Sequence, residues 1–179
     1  WAHAQEVGLR AVAWLWVFQL LRDLEPFDPE FFEAWLVGIL THAAYVEAYL
    51  SDHVITHNHL ISELAALAQL GLCLGELPCA QPWARLGIAR LSHEILKQTD
   101  AEGVQGELST HYHAFVLDSC LAVDVLASRA GRSLALPVRR RIRSMAEFLA
   151  LLLVEGGRLP AIGDTDAGRA WRLGTDPLD

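Results

Sequence analysis

Thr56-His57-Asn58-His59-Leu60-Ile61-Ser62-Glu63-Leu64-Ala65-Ala66-Leu67-Ala68-Gln69-Leu70-Gly71 passes, within a single helical turn, from polar, proton-handling side chains to an almost unbroken apolar run. Leu64, Leu67 and Leu70 recur at the three-residue step of a helix, with alanine filling most of the positions between. A helix apolar on more than one side needs neighbours on more than one side. Working outward, the residues before it hold two similar segments. Glu6–Leu24 carries Val7, Ala11, Trp14, Leu15, Phe18 and Leu21 at helical spacing and stops before Pro26. Asp28-Pro29-Glu30 is a restart signal, a capping acid followed by proline in the first turn, and the helix it opens runs through Trp35, Ile39 and Tyr45 to about Leu50.

After Gly71 the pattern continues. A fourth helix is expected over Ala80–Gln98, followed by a turn-rich loop, Thr99–Glu107, with Asp100, Gly103 and Gly106. Ser109 is placed to cap a fifth helix through Phe115, Cys120, Val123 and Leu126, and Pro137 opens a sixth that ends at Gly156-Gly157. The remainder, to Asp179, reads as loop. No period-two strand and no internal repeat is visible. Six helices with mostly short connections predict an all-α fold of stacked antiparallel hairpins in two layers, one domain over residues 1–179.

The chain is 179 residues long, 53% hydrophobic and 20% charged, which provides a substantial core and excludes disorder. A formal charge of -8 argues against nucleic acid as a partner, because phosphate binding needs a basic face. The longest apolar runs, Ala11–Leu21 and Phe148–Val154, are too short to span a bilayer. Cys73, Cys79 and Cys120 read as small buried hydrophobes. The chain opens at Trp1 inside a helical pattern, as a piece of a longer protein would.

Three features carry chemistry. In the first, Asn58 and His59 open an apolar helix, with His53 and His57 close by. The simplest roles are an N-cap for Asn58 and a hydrogen-bonded i,i+4 pair for His59 and Glu63. No carboxylate-rich complement accompanies these imidazoles, so no metal and no cofactor is expected. The second is Glu107-Leu108-Ser109-Thr110-His111-Tyr112-His113. Tyr112 falls in the first turn, where the helix dipole favours the phenolate a base needs, and His113 and Glu107 are placed to orient or charge-pair with its hydroxyl. The third is Gly163-Asp164-Thr165-Asp166-Ala167-Gly168-Arg169, a tight loop that lacks the later ligands of a calcium-binding loop and reads first as structural. Arg139-Arg140-Arg141-Ile142-Arg143 reads as a solvated helix face. Trp14, Trp35 and Trp83 sit at core-like helical positions.

Taken together, the residues resemble the helical domain of the heparinase II/III-like polysaccharide lyases, which include heparinases and alginate lyases. The likeness rests on Glu6-Val7-Gly8-Leu9-Arg10 leading to Trp14, and on Asn58-His59-Leu60 with Glu63. It continues through Asp100 to Gly103, Glu107 with Ser109, Tyr112-His113, and Gly163-Asp164-Thr165-Asp166 with Gly168-Arg169. The order and approximate spacing hold across nearly the whole chain.

The resemblance implies an incomplete (α/α) toroid, followed in the parent by a C-terminal β-sandwich domain that supplies further residues to the cleft. It also implies an acidic, uronate-containing polysaccharide or oligosaccharide as partner: heparan-type, chondroitin-type, alginate or exopolysaccharide. The reaction would be β-elimination in a bacterial protein of the periplasm or the exterior, with the cytoplasm as the alternative for members acting on oligosaccharides. Asn58 and His59 would neutralise the uronate carboxylate and Tyr112 would serve as base and acid. Glu63, Glu107, His113, Asp164 and Arg169 would bind substrate or support. A free tyrosine, with a pKa of about 10, needs nearby cations to act at neutral pH. Competing readings are a non-catalytic glycan-binding module, suggested by the tryptophans, a structural helical domain, and a hydrolase using a carboxylate pair drawn from Glu63, Glu107, Asp164 and Asp166.

Overall fold

A computed structural model describes residues 3–24, 28–52, 57–154, 157–165 and 170. His53, Asp166, Gly168 and Arg169, all singled out above, lie outside the described residues. The elements are α1 (Ala4–Leu21), α2 (Pro29–Ala48), α3 (His57–Cys73), α4 (Gln81–Gln98), α5 (Thr110–Arg129) and α6 (Leu136–Leu152). Among the described residues there is no strand, only an isolated antiparallel bridge between Thr99 and Gln105. Among the described residues no helix is long and apolar enough to cross a membrane. The chain divides into two compact units, Trp1–Gly87 and Ile88–Asp179, and the division falls within α4.

The first unit is built on α3. Thirteen of its residues, Asn58 and Leu60 through Gly71, are buried, so it is covered on all its faces. α1 contributes Val7, Ala11 and Leu15 to the core, α2 contributes Ile39, Ala43 and Val46, and Leu67 and Leu70 of α3 meet Ala80 and Trp83. Backbone-to-backbone contact brings α4 onto α3. A β-carbon at Gly87 would lie 2.5 Å from the Ala68 nitrogen and 2.7 Å from the Leu64 oxygen, so only glycine fits that crossing. Asp28 caps α2 through Glu30, as its sequence indicates.

The tryptophans divide. Trp83 is buried and donates its indole N–H to Glu47 at 2.8 Å. Trp14 is not in the core: it is 40% exposed and lines an apolar groove of about 410 Å³ with Val17, Leu21, Phe31 and Trp35. Helical spacing identifies a helix face without saying whether a neighbour covers it. The cysteines likewise divide, Cys120 buried, Cys73 half-buried and Cys79 exposed, all with free thiols.

In the second unit α5 packs on α6, with Cys120, Val123 and Ala127 buried from one helix and Val138, Ile142 and Met145 from the other. Gly103 closes the Thr99–Glu107 loop against the Ser144–Met145 backbone with a φ of +94°, a conformation and a closeness that exclude a side chain. Asp100 organises the same loop, its Oδ1 accepting from the amides of Glu102 and Val104. α6 ends at Leu152, short of the glycine pair at which its sequence suggests it stops. Arg139, Arg140 and Arg143 form the exposed face expected, paired in part with Asp124 and Glu147, whereas Arg141 turns back to the carbonyls of Thr99 and Leu96.

Candidate functional site

The first turn of α3 is where the first unit places its polar candidates. The helix begins at His57, so Asn58 lies inside it and is not its cap. Asn58 is 6% exposed, and its Oδ1 accepts from the Gln5 amide of α1 at 2.9 Å. The same Gln5 nitrogen donates to the Ser62 hydroxyl at 3.0 Å, and Ser62 donates its own hydrogen to the His59 carbonyl at 2.9 Å. The His59 ring is half-buried and meets the ring of His3 edge-on at 6.0 Å.

Glu63, four residues after His59, is fully buried. Its partner is not His59 but Ser51: the Ser51 amide donates to Oε2 at 2.8 Å and its hydroxyl to Oε1 at 2.7 Å. Burial raises the Glu63 pKa above the ordinary carboxylate range, opposed by those two bonds, raised further by Asp52 and eased by His3. Glu63 therefore ties the chain after α2 to the flank of α3. Gln5 and Ser51 are absent from the sequence-based candidates. The step from Asn58 to Ser62, two polar residues on one face of an apolar helix, is the signal that a polar partner awaits them.

The second unit assembles Glu107, Tyr112, His113 and Asp164 around the N-terminus of α5. Ser109 caps the helix, its Oγ accepting from the Tyr112 amide at 3.2 Å and donating to the Asp164 carbonyl at 2.6 Å. Thr110 donates its hydroxyl to Pro160 at 2.6 Å and its amide to Ile162 at 3.1 Å. These bonds strap the 157–165 segment across the first turn, as a structural loop. Gly163 permits it with a φ of +74°; a β-carbon there would lie 2.8 Å from the Leu108 oxygen. Leu108 itself has a φ of +56°, a left-handed turn that a leucine adopts only under constraint. Asp164 is thus delivered next to the turn that holds Tyr112, with its side chain exposed.

Tyr112 is half-buried, in the third position after the cap. Glu107 is half-buried and accepts from the Gln105 amide at 3.0 Å. His113 is buried, with its ring 5.4 Å from that of Phe148. Its Nε2 donates to the Met145 carbonyl at 3.0 Å, which fixes the tautomer and commits that donor to α6 instead of the Tyr112 hydroxyl. Burial lowers the His113 pKa, so the ring is neutral at neutral pH. Among the described residues no three His, Cys, Asp or Glu side chains gather where they could hold a metal ion.

A family model described as Heparinase II/III N-terminus matches residues 1–172. A heparin-sulfate lyase of Pedobacter heparinus is 29% identical over 141 residues, 77% of this chain and 21% of that protein. Another, of Bacteroides thetaiotaomicron, is 33% identical over 87 residues, 49% of this chain and 12% of that protein. Among solved structures, one of heparinase III aligns with a TM-score of 0.76 at 25% identity, covering 84% of this chain and 23% of that one. A heparan sulfate lyase from Pedobacter heparinus aligns with a TM-score of 0.69 at 25% identity, over 88% of this chain and 25% of the other. The fold class is therefore the (α/α) toroid, and the chain spans about a fifth of the length of the first of these relatives.

Proposed function

The chain belongs to the Heparinase II/III N-terminus family, and from that premise we propose that its parent cleaves a uronate-containing glycosaminoglycan of the heparan sulfate type by β-elimination. The observation that carries this reading is that both polar helix entrances are built, each tied by side-chain bonds to a distant segment: Gln5 to Asn58 in one, Ser109 to Asp164 in the other.

The proton on C5 of a uronate is not acidic while the adjacent carboxylate keeps its full charge. Asn58 and His59 hydrogen-bond that carboxylate and take up the negative charge that develops as the proton leaves. Tyr112 removes the C5 proton, the C4–O bond breaks, a C4=C5 double bond forms, and the tyrosine returns a proton to the departing oxygen. Glu63 and His113 act through the frame, since each is bonded to neighbouring chain. Glu107, Asp164 and Arg169 are assigned to support or substrate contact. No cofactor enters the scheme. The parent carries a C-terminal β-sandwich domain and works in the periplasm or outside a bacterial cell.

The test is ultraviolet absorbance during incubation of the parent protein with heparan-type, chondroitin-type and alginate polymers. Elimination creates a conjugated unsaturated uronate, which hydrolysis and binding do not. Absorbance should rise with the heparan-type polymer, and Tyr112→Phe should lower the rate by about 10²–10⁴-fold, the range for loss of a general base. A flat trace with folded protein across all polymers refutes the reading and turns it towards glycan binding without cleavage.

A further inference from the structure

We propose that the arginine-edged groove between α5 and α6 is a second binding site for the acidic glycan, holding the polymer away from the point of cleavage; the inference takes its ligand from the reading above. The groove has a volume of about 380 Å³, and Leu121, Leu136 and Ile142 give it an apolar lining. Its charged lining is Arg139, Arg140 and Arg143 against Asp124, a local positive excess in a chain whose formal charge is -8. A solvated helix face needs neither a concavity nor an apolar lining, and this one has both. The three cations differ in availability. Arg139 pairs with Asp124, whose side chain is only 18% exposed, and so helps to shape the groove. Arg143 pairs with Glu147 on the open surface, and such a pair contributes little and yields to a competing anion. Arg140 is exposed and, among the described residues, has no carboxylate partner.

Arg140 and Arg143 are three residues apart on α6, so their side chains are neighbours on one face. A guanidinium fork binds a carboxylate or another oxyanion through paired N–H bonds. A pyranose ring has apolar C–H faces and carries its acidic groups at the edge, the same division that the groove makes between its leucines and its arginines. Nucleic acid would need a basic face far larger than one groove on an acidic chain. From Tyr112 to Leu121 the α5 helix makes about two and a half turns, so the two side chains leave opposite faces, about 14 Å apart along the axis. The groove is therefore separate from the turn that holds Tyr112. A long polymer reaches both places, and a chain let go at one stays at high local concentration while the other still holds it.

The test is made in the parent protein with Arg140→Gln and Arg143→Gln combined, two exposed positions whose change leaves no buried group unpaired. Arg129→Gln with Arg132→Gln removes the same charge from exposed positions outside the groove lining. Affinity for a heparan-type polymer is measured in the Tyr112→Phe background, so that the polymer stays whole. With Tyr112 intact, kcat and KM are measured for the polymer and for a tetrasaccharide cut from it, together with the melting temperature of each variant.

The groove variant should bind the polymer about tenfold more weakly, a loss that two exposed ion pairs can supply. Its affinity should also depend less steeply on salt, because fewer counterions are released. Its kcat and its KM for the tetrasaccharide should match the parent's, and the control pair should bind the polymer as the parent does. Equal losses in both double variants would show a general effect of charge and overturn the proposal. Unchanged polymer affinity in the groove variant would overturn it too, and a lowered melting temperature beside it would make an acidic segment of the parent the occupant. A tetrasaccharide KM raised as much as the polymer's would make the groove part of the cleavage site and overturn its separate role. A parent that binds the polymer through the groove and forms no unsaturated uronate upholds this inference and refutes the lyase reading. A parent that binds no polymer overturns the inference whatever the absorbance shows.

Discussion

Glu63 shows how burial and hydrogen bonding compete at one residue. Its raised pKa means that the folded protein holds a proton which the unfolded chain has already released. Its contribution to stability is therefore full below the ordinary carboxylate range and is lost as pH rises through the raised value. Glu63→Gln keeps an acceptor for the Ser51 amide and offers a donor to the Ser51 hydroxyl. Chemical denaturation from pH 4 upward should show the wild-type stability falling relative to the variant, with a slope bounded by about 1.4 kcal/mol per pH unit for one proton. Parallel curves would show that Glu63 stays ionised throughout. Asn58, His59 and Tyr112 were legible as candidates because polar residues break an apolar pattern. Ser51 was not, since a serine in a connection carries no pattern, and the Glu63–Ser51 bond requires knowing where the chain returns after α2. Nor does the i,i+4 step distinguish a His59–Glu63 pair from two residues serving different neighbours.

All six helices among the described residues were legible, because periodicity, the Asp28 and Ser109 caps, and the prolines at the starts of α2 and α6 are local signals. What sequence does not give is the distance between two helices. Gly87 lies within an apolar run where alanine would favour the helix more, yet the α3–α4 crossing leaves no room for a methyl group. Gly87→Ala raises intrinsic helix propensity by about 1 kcal/mol, and the crossing must open to admit the new carbon. We expect a net destabilisation of about 2–4 kcal/mol, seen as a lower melting temperature with α3 amides exchanging hydrogen faster. A neutral or stabilising result would mean that the two helices separate freely. The loop that follows α4 obeys the same logic at Gly103, where composition announces a turn but not that it rests on α6.

Across the molecule, apolar residues follow helical spacing even where no described neighbour covers them. Leu20 and Leu24 are 69% and 72% exposed, close in sequence to Leu21, which lines the groove with Trp14, Phe31 and Trp35. Patches of this kind favour association. The 179-residue chain produced alone should bind an apolar-surface dye and elute at larger size as its concentration rises. Leu20→Lys with Leu24→Lys should reduce both signals while leaving the helix content intact. Unchanged elution would place the sticky surface elsewhere. The strap across α5 has a consequence of a different kind, one of timing. Ser109 and Asp164 are separated by 55 residues, which a ribosome adds at roughly 5–20 per second. The first turn of α5 therefore waits about 3–11 s for the segment that receives its hydroxyls. During that interval the surroundings of Tyr112 are unfinished, so on a nascent chain the turn proposed to move the proton takes shape after the Asn58 entrance, whose partners Gln5 and Ser51 precede it.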